Sequence, residues 1–219
     1  MDKRHTPFRT ILGWLAKSDS MERSDLIFVL AGEHDRKEYA LRLFREQYAF
    51  KILFSVGRFE LRRFSGLGLP VSAGLLRLAS EWSPQRRHFF VYMDSSESHA
   101  VHVEPNRLGT LTEMDALSDW LEAHPEIRTL LIVSSWTHLF RLRMCCHAFL
   151  PTSVEYRLVA TPKDESGNNS TNIQQGEERG KYLLELAKVI LYATVLLLCR
   201  VRVRTRRHPI RRRCVQHFA

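Results

Sequence analysis

The sequence has few cysteines, and their arrangement does not indicate metal or redox chemistry. Only 4 of its 219 residues are cysteine. Cys145 and Cys146 are adjacent, Cys199 and Cys214 lie near the C-terminus, and no C-x-x-C pair occurs. This spacing excludes the usual zinc and dithiol motifs, so no metal site is predicted. Adjacent cysteines in a helix point to different sides, and we expect these two to be free thiols.

The glycine-rich motifs that bind phosphates are also missing. Neither G-x-G-x-x-G nor G-x-x-x-x-G-K-[ST] occurs in the chain, which excludes the dinucleotide fingerprint and the P-loop. The sequence therefore indicates no particular cofactor.

Acidic residues are absent from the C-terminal end of the chain. No Asp or Glu follows Arg200, whereas eight arginines lie between Arg200 and Arg213. Removing these eight from the 33 lysines and arginines leaves 25 basic residues against 24 acidic ones, so the net charge of +9 belongs to the tail. A nucleic-acid-binding domain needs a basic face on its folded body. We therefore expect no nucleic-acid partner.

The remaining composition is typical of one globular domain with flanking segments. Apolar residues make up 44% of the chain and charged residues 26%, and this length can bury a full core. Residues 8–16 are interrupted by Arg9 and Thr10, which does not fit a signal peptide and favours a short amphipathic helix. We divide the chain into an N-terminal segment (1–23), an α/β domain (24–161), a polar loop (162–180), an apolar helix (181–199) and an Arg-rich tail (200–219).

Apolar runs and helical spacing predict the elements of the domain. Residues 25–31 and 51–55 are predicted strands, and residues 36–48 between them form a predicted helix, which makes a βαβ unit. Further along the chain we predict a helix at 71–82, strands at 88–94, 100–104 and 154–160, and a helix at 113–124 capped by Thr110 or Thr112.

The most informative stretch is 129–150. Residues 129–133 are β-branched or Leu, as in a strand buried on both faces of a parallel sheet. Ser134 and Ser135 follow as candidate N-caps, and the spacing then becomes helical. His138 and Arg141 are three residues apart and share a face near the helix start, where the dipole favours an anion. The alternative is a capped helix with a surface His and Arg.

Four motifs in this order resemble the YdcF/SanA/ElyC-like proteins. They are Arg-x-x-x-Ala (36–40), Ser-x-Gly (55–57), Asn-x-x-x-Thr-x-x-Glu (106–113) and Ser-Ser-x-x-His-x-x-Arg (134–141). The similarity covers residues 24–192. The chain has Ala31-Gly32 where the family tends to have Gly-Gly, and Val56 where the family has a glycine. Residues 88–104 have no clear counterpart.

The resemblance implies a Rossmann-like three-layer α/β sandwich with a mainly parallel central sheet and one polar pocket, in a protein of the bacterial cell envelope. Parallel sheets bind ligands outside the carboxyl ends of their strands, and the candidate residues follow predicted strands or begin the preceding helix. Arginine binds phosphate or carboxylate bidentately. His138 is a candidate general acid–base or only a hydrogen-bond donor, and Glu113, the second candidate catalytic residue, could orient it or pair with an arginine. The expected ligand-binding residues are Gly32, Arg36, Ser55, Gly57, Asn106, Thr110, Ser134, Ser135 and Arg141.

Each candidate also has a purely structural interpretation. Arg36 could be a helix-surface residue, Glu113 part of a capping box and Gly57 a turn. Two functions therefore stay open: an enzyme or binding module for a small anionic, phosphate- or nucleotide-like ligand, or a non-catalytic membrane-associated accessory protein with a vestigial pocket.

The apolar helix at 181–199 also has two interpretations. Residues 189–199 carry no charge, and residues 182–199 carry only Glu185 and Lys188, close to the lower limit for a spanning helix. We favour membrane contact through Lys181–Arg213 and hence a membrane-associated protein, since the arginines suit an anionic surface. The alternative is a helix docked on the domain through Leu183, Leu184, Ala187 and Leu191, in a cytoplasmic protein.

Overall fold

The computed structural model describes residues 17–104, 109–162, 187–194 and 216–217. The predicted N-terminal helix at 8–16, Asn106, the polar loop from residue 163 onwards and most of the C-terminal helix and tail lie outside the described residues.

One sheet of seven strands runs through the domain in the order β6-β5-β1-β2-β3-β4-β7. The strands β6, β5, β1 and β2 pair in parallel, whereas β3 runs antiparallel to β2 and forms a hairpin with β4. The strand bounds are β1 Leu26–Val29, β2 Lys51–Gly57, β3 His88–Met93, β4 Ser98–His102, β5 Thr129–Ser134, β6 Glu155–Ala160 and β7 Gln216–His217.

Helices cover both faces of the sheet. They are α1 His34–Arg45, α2 Leu61–Ser65, α3 Ser72–Ser80, α4 Gly109–Glu122 and α5 Leu139–Phe149, with short 3₁₀ turns at Pro84–Arg86 and Trp136–His138. The first three pack into one hydrophobic core, and α4 and α5 pack into a second on the opposite face. This confirms an α/β fold with a mostly parallel sheet flanked by helices, which fits a Rossmann-like architecture.

The apolar runs of the central strands follow from burial on both faces. All four residues of β1 are fully buried. Because side chains alternate along a strand, Ile27 and Val29 belong to one core and Leu26 and Phe28 to the other. A strand that serves two cores is mostly apolar on both faces, which makes such runs readable from sequence.

The predicted helix caps were wrong. Helix α4 already includes Gly109, so Thr110 and Thr112 lie within it rather than before it. Ser134 is the last residue of β5, and a 3₁₀ turn separates it from α5. Ser135 precedes that turn without a side-chain capping bond. Its hydroxyl is instead engaged with Arg36 and Glu33, at distances given below.

The described part of the C-terminal helix, residues 187–194, places Tyr192 in the core of the domain. Tyr192 is 7% exposed and belongs to the core beside α4 and α5. Leu191, expected to cover the sheet if the helix docked, is 49% exposed, and Ala187 is exposed as well. Within the described ranges, no helix has the length and apolar character needed to cross a membrane.

Candidate functional site

A cavity of about 450 Å³ opens at the carboxyl ends of β1 and β5. The turn after β1, the start of α1, the first turns of α4 and α5, and α2 form its wall. Its lining residues are Leu30, Ala31, Gly32, Glu33, Arg36, Arg63, Thr110, Glu113, Ser134, His138, Arg141 and Leu142.

The turn after β1 is held by two carboxylates. The Ala31 N–H donates to Glu113 Oε1 at 2.7 Å, and the Gly32 N–H donates to Glu60 Oε1 at 2.6 Å. Gly32 has a φ of +133°, and a Cβ there would lie 2.8 Å from Arg36 Nη1. Glycine is therefore required on both conformational and steric grounds, and these two N–H groups are already satisfied by the protein.

Arg36 ties the ends of β1 and β5 together. Its Nε and Nη2 donate to Ser135 Oγ at 2.9 and 2.7 Å, and its Nη1 donates to the Ala31 carbonyl at 2.9 Å. The Ser135 hydroxyl in turn donates to Glu33 Oε2 at 2.7 Å. Burial lowers the pKa of the Arg36 guanidinium, and the nearby carboxylates of Glu33, Glu113 and Glu60 oppose that shift. Arg36 lines the cavity as predicted, but most of its donors serve the fold.

Two charged residues of the site were not predicted. Lys37, 1% exposed, forms an ion pair with Glu60, which lies in the loop after β2. Burial raises the pKa of the Glu60 carboxyl, and the Lys37 charge counters this shift. A buried ion needs such a partner, because a lone charge in the interior is strongly unfavourable.

Glu113 lines the cavity from a buried position in α4. Its side chain is 4% exposed, and it accepts a hydrogen bond from the Ser55 hydroxyl in addition to the Ala31 N–H. Burial raises the pKa of the Glu113 carboxyl. The hydrogen bonds from Ser55 and Ala31 and the charges of Arg36 and Lys37 oppose this shift.

Ser55 lies behind the cavity wall rather than in it. It is fully buried, and its Oγ lies 2.7 Å from His88 Nε2. Burial lowers the pKa of His88 to about 4, which keeps this ring neutral at physiological pH. Ser55 therefore supports Glu113 instead of contacting a ligand in the cavity. Gly57 does not line the cavity either, and a Cβ there would lie 3.3 Å from Glu60 Oε1.

Arg141, His138 and Ser134 form the opposite wall. Arg141 is 7% exposed, its Nη2 lies 2.7 Å from His138 Nδ1, and its Cζ lies 5.2 Å from the ring centroid of Tyr192. A guanidinium can only donate, so Nδ1 accepts and the ring proton is assigned to Nε2. Ser134 is fully buried, and among the described residues its hydroxyl has no hydrogen-bond partner.

The structure thus brings together most of the predicted site. Gly32, Arg36, Thr110, Glu113, Ser134, His138 and Arg141 share one cavity, whereas Ser135, Ser55 and Gly57 lie behind it. Arg63 on α2 and Glu33 also line the cavity and were not predicted. Their only sequence signal is that each lies just after a strand end.

The two neighbouring thiols do not contribute a nucleophile. Cys145 and Cys146 are free, as predicted, and both are buried in α5. Burial raises the pKa of Cys145 to about 12, despite the nearby Arg141. The thiolate is the reactive form, so these residues serve packing. Within the described part of the chain, no group of three or more His, Cys, Asp or Glu side chains is placed to hold a metal ion.

No family model, no curated protein and no solved structure matches the chain.

The raised pKa of Glu113 predicts a specific pH dependence of stability. A carboxyl whose folded-state pKa lies above its ordinary 4.5 contributes stability below that pH and loses it as the pH rises through the folded-state value. Relative to Glu113→Gln, the wild-type free energy of unfolding should fall by up to about 1.4 kcal/mol per pH unit above pH 4.5. Urea unfolding between about pH 4.5 and 7.5 measures this difference.

Glu122→Gln is the matched control, because Glu122 is an exposed residue of the same helix α4. The difference in the free energy of unfolding between Glu122→Gln and the wild type should vary little with pH. A wild-type-minus-Glu113→Gln difference that stays constant across the pH range would show that the interior does not favour the neutral carboxyl.

Proposed function

We propose that this cavity binds a small phosphate-like anion, with Arg141 and His138 as its principal donors. The observation that carries the proposal is the pairing of the buried Arg141 with His138, beside a buried Ser134 hydroxyl that has no hydrogen-bond partner among the described residues. A guanidinium and a hydroxyl on one wall suit phosphate oxygens, which accept several short charge-assisted hydrogen bonds.

The charge of the cavity wall supports an anionic ligand. Three arginines line the cavity, Arg36, Arg63 and Arg141, against the two carboxylates of Glu33 and Glu113. Glu33 pairs with Arg36, and even with Glu113 ionised the three guanidinium groups outnumber the two carboxylates. The uncompensated charge is therefore positive, and an anion would neutralise it.

The same wall supplies groups for processing the ligand. His138 Nδ1 is bonded to Arg141, and Glu113, whose carboxyl pKa is raised by burial, lines the same cavity. The two groups would act as proton donors to an anionic leaving group.

We also propose that the chain is a YdcF-like protein of the bacterial cell envelope. Support comes from the order of the four motifs and from the position of three of them around one cavity at the carboxyl ends of parallel strands. The antiparallel hairpin β3–β4, at residues 88–104, is an addition to the pattern that the resemblance implies.

A second candidate function is that of a non-catalytic accessory protein. It is favoured by the two carboxylates on the turn after β1, which occupy the Ala31 and Gly32 N–H groups. A ligand phosphate could use that turn only by displacing Glu113 and Glu60. Binding of phosphate-containing probes without any turnover would favour this candidate.

The proposed anion site predicts that Arg141→Gln lowers affinity for phosphate-containing probes by about ten- to a hundredfold. The basis is that a hydrogen bond to a charged group contributes roughly 1.5–3 kcal/mol. The measurement is a thermal-shift and calorimetry series with inorganic phosphate, pyrophosphate and nucleotides, since a ligand that binds the folded state raises its stability.

Arg143→Gln provides the matched control on the same helix, because Arg143 pairs with Asp19 away from the cavity. That variant should bind the probes as the wild type does. Equal binding by the wild type and Arg141→Gln would refute the proposed site, as would an equal loss in both variants.

For the C-terminal segment, we propose membrane contact through Lys181–Arg213. Replacing the eight arginines between Arg200 and Arg213 by glutamine should move most of the protein to the soluble fraction of lysed cells. Each arginine near an anionic surface contributes about 1 kcal/mol. Replacement rather than truncation preserves the Tyr192 contact and β7. A wild-type protein found wholly in the soluble fraction would rule this proposal out.

A further inference from the structure

A second cleft lies beside the cavity, where β2 ends and β3 begins. Gly57 and His88 are paired in the antiparallel register, so the flanking residues Arg58 and Arg87 leave the sheet side by side. With α2 and α3 they enclose about 250 Å³. We call part of this surface the arginine patch, defined as the exposed Arg58, Phe59, Arg62 and Leu76 and the half-buried Arg87, whose Nε donates to the Trp82 carbonyl.

The patch is a concentrated positive charge. No carboxylate lines the cleft, and none of its three arginines forms an ion pair with a described residue. Between residues 58 and 87 the chain has six arginines and only two glutamates. The near-neutral charge of the body therefore conceals a local basic surface.

The patch is also apolar at its tip. Phe59 is 82% exposed and Leu76 is 43% exposed, and the Arg58 guanidinium lies 4.3 Å from the centroid of the Phe59 ring. A phenylalanine that stays in water forgoes the free energy that burial would give it. An exposed apolar group surrounded by charged residues marks an interaction surface.

We infer that the arginine patch docks the folded body onto an anionic lipid surface, with Phe59 inserted and Arg58, Arg62 and Arg87 on the headgroups. A bilayer can bind both parts of the patch at once, because its negative headgroups can pair with the arginines and the apolar layer beneath them can take up Phe59. Single-stranded nucleic acid needs a charged groove long enough to track a backbone, with several stacking aromatics. Among the residues that line this compact cleft, Phe59 is the one aromatic side chain.

The inference is independent of the proposed ligand, but it bears on the cavity. Helix α2 carries Arg62 in the patch and Arg63 in the cavity wall. A body seated through the patch therefore has its cavity on the surface next to the docked one. Unlike the tail, which attaches the chain, the patch would orient the domain.

Vesicle co-sedimentation of the full chain tests the inference, using vesicles of 70% phosphatidylcholine and 30% phosphatidylglycerol. The test variant is Arg58→Glu/Arg62→Glu. The control is Arg45→Glu/Arg128→Glu, which makes the same charge change at two exposed arginines near the amino ends of the strands. We expect the test variant to partition onto the vesicles at least about 25-fold less than the wild type, because each arginine contributes roughly fivefold. The control variant should lose about threefold or less.

Phe59→Ala should lower partitioning by about tenfold without changing the melting temperature, because the side chain is exposed in the free protein. If the charge-reversed variant does not fold, Arg58→Gln/Arg62→Gln replaces it, with Arg45→Gln/Arg128→Gln as its control and a smaller expected loss. The tail is present in every variant, so the ratios report on the patch alone.

Three results would overturn the inference. The first is an equal loss in the test and control variants, and the second is unchanged partitioning of Phe59→Ala. The third is that the patch variants keep vesicle binding and instead lose binding to a single-stranded oligonucleotide or to an acidic peptide, which would assign the patch to that partner.

Discussion

Two carboxylates buried beneath one turn tie the carboxyl end of the sheet together. Glu113 from α4 and Glu60 from the loop after β2 accept the N–H groups of Ala31 and Gly32. Such burial is tolerated only with compensating cations close by, and α1 supplies them as Arg36 and Lys37. The carboxylates and cations come from separate elements, so the turn, both helices and the strand ends are positioned as one unit. A single uncompensated substitution in this group would leave a charge buried without its partner.

The bonds from the Ala31 and Gly32 N–H groups to these carboxylates also determine which groups of the cavity could contact a ligand. Because the turn after β1 is satisfied internally, its backbone is not a free anion site, unlike the phosphate-binding turns of nucleotide folds. Arg141, His138 and Ser134 converge on the β5–α5 side of the cavity, where the proposed function places the ligand. Tyr192 packs on Arg141, so the C-terminal helix contacts the wall that the proposed function assigns to the ligand. The arginine patch lies on the other side of α2, which places ligand binding and docking on adjacent surfaces.

Local patterns in the sequence predicted the central elements, and they failed where an interaction joins distant residues. The apolar runs of β1 and β5 and the βαβ unit were readable because burial on two faces removes polar residues from a strand. His138 and Arg141 were predicted because their spacing places them on one helix face, and Ser134 because it follows a buried strand. The Lys37–Glu60 pair was missed, since Lys37 looks like a helix-surface residue and its partner is 23 positions away. The cap assigned to Ser135 failed because its hydroxyl bonds to Arg36, 99 positions away. The arginine patch was not predicted, because the net charge of the body sums over its whole surface and does not show where charges cluster.

A crystal structure of the protein with pyrophosphate tests the central claim most directly. The account predicts a phosphate group within hydrogen-bond distance of the Arg141 guanidinium and the Ser134 hydroxyl, with His138 beside it. The Ala31 and Gly32 N–H groups should keep their bonds to Glu113 and Glu60 in that structure. A phosphate bound to those two N–H groups with the carboxylates displaced would contradict the account, and so would an anion found only among Arg58, Arg62 and Arg87.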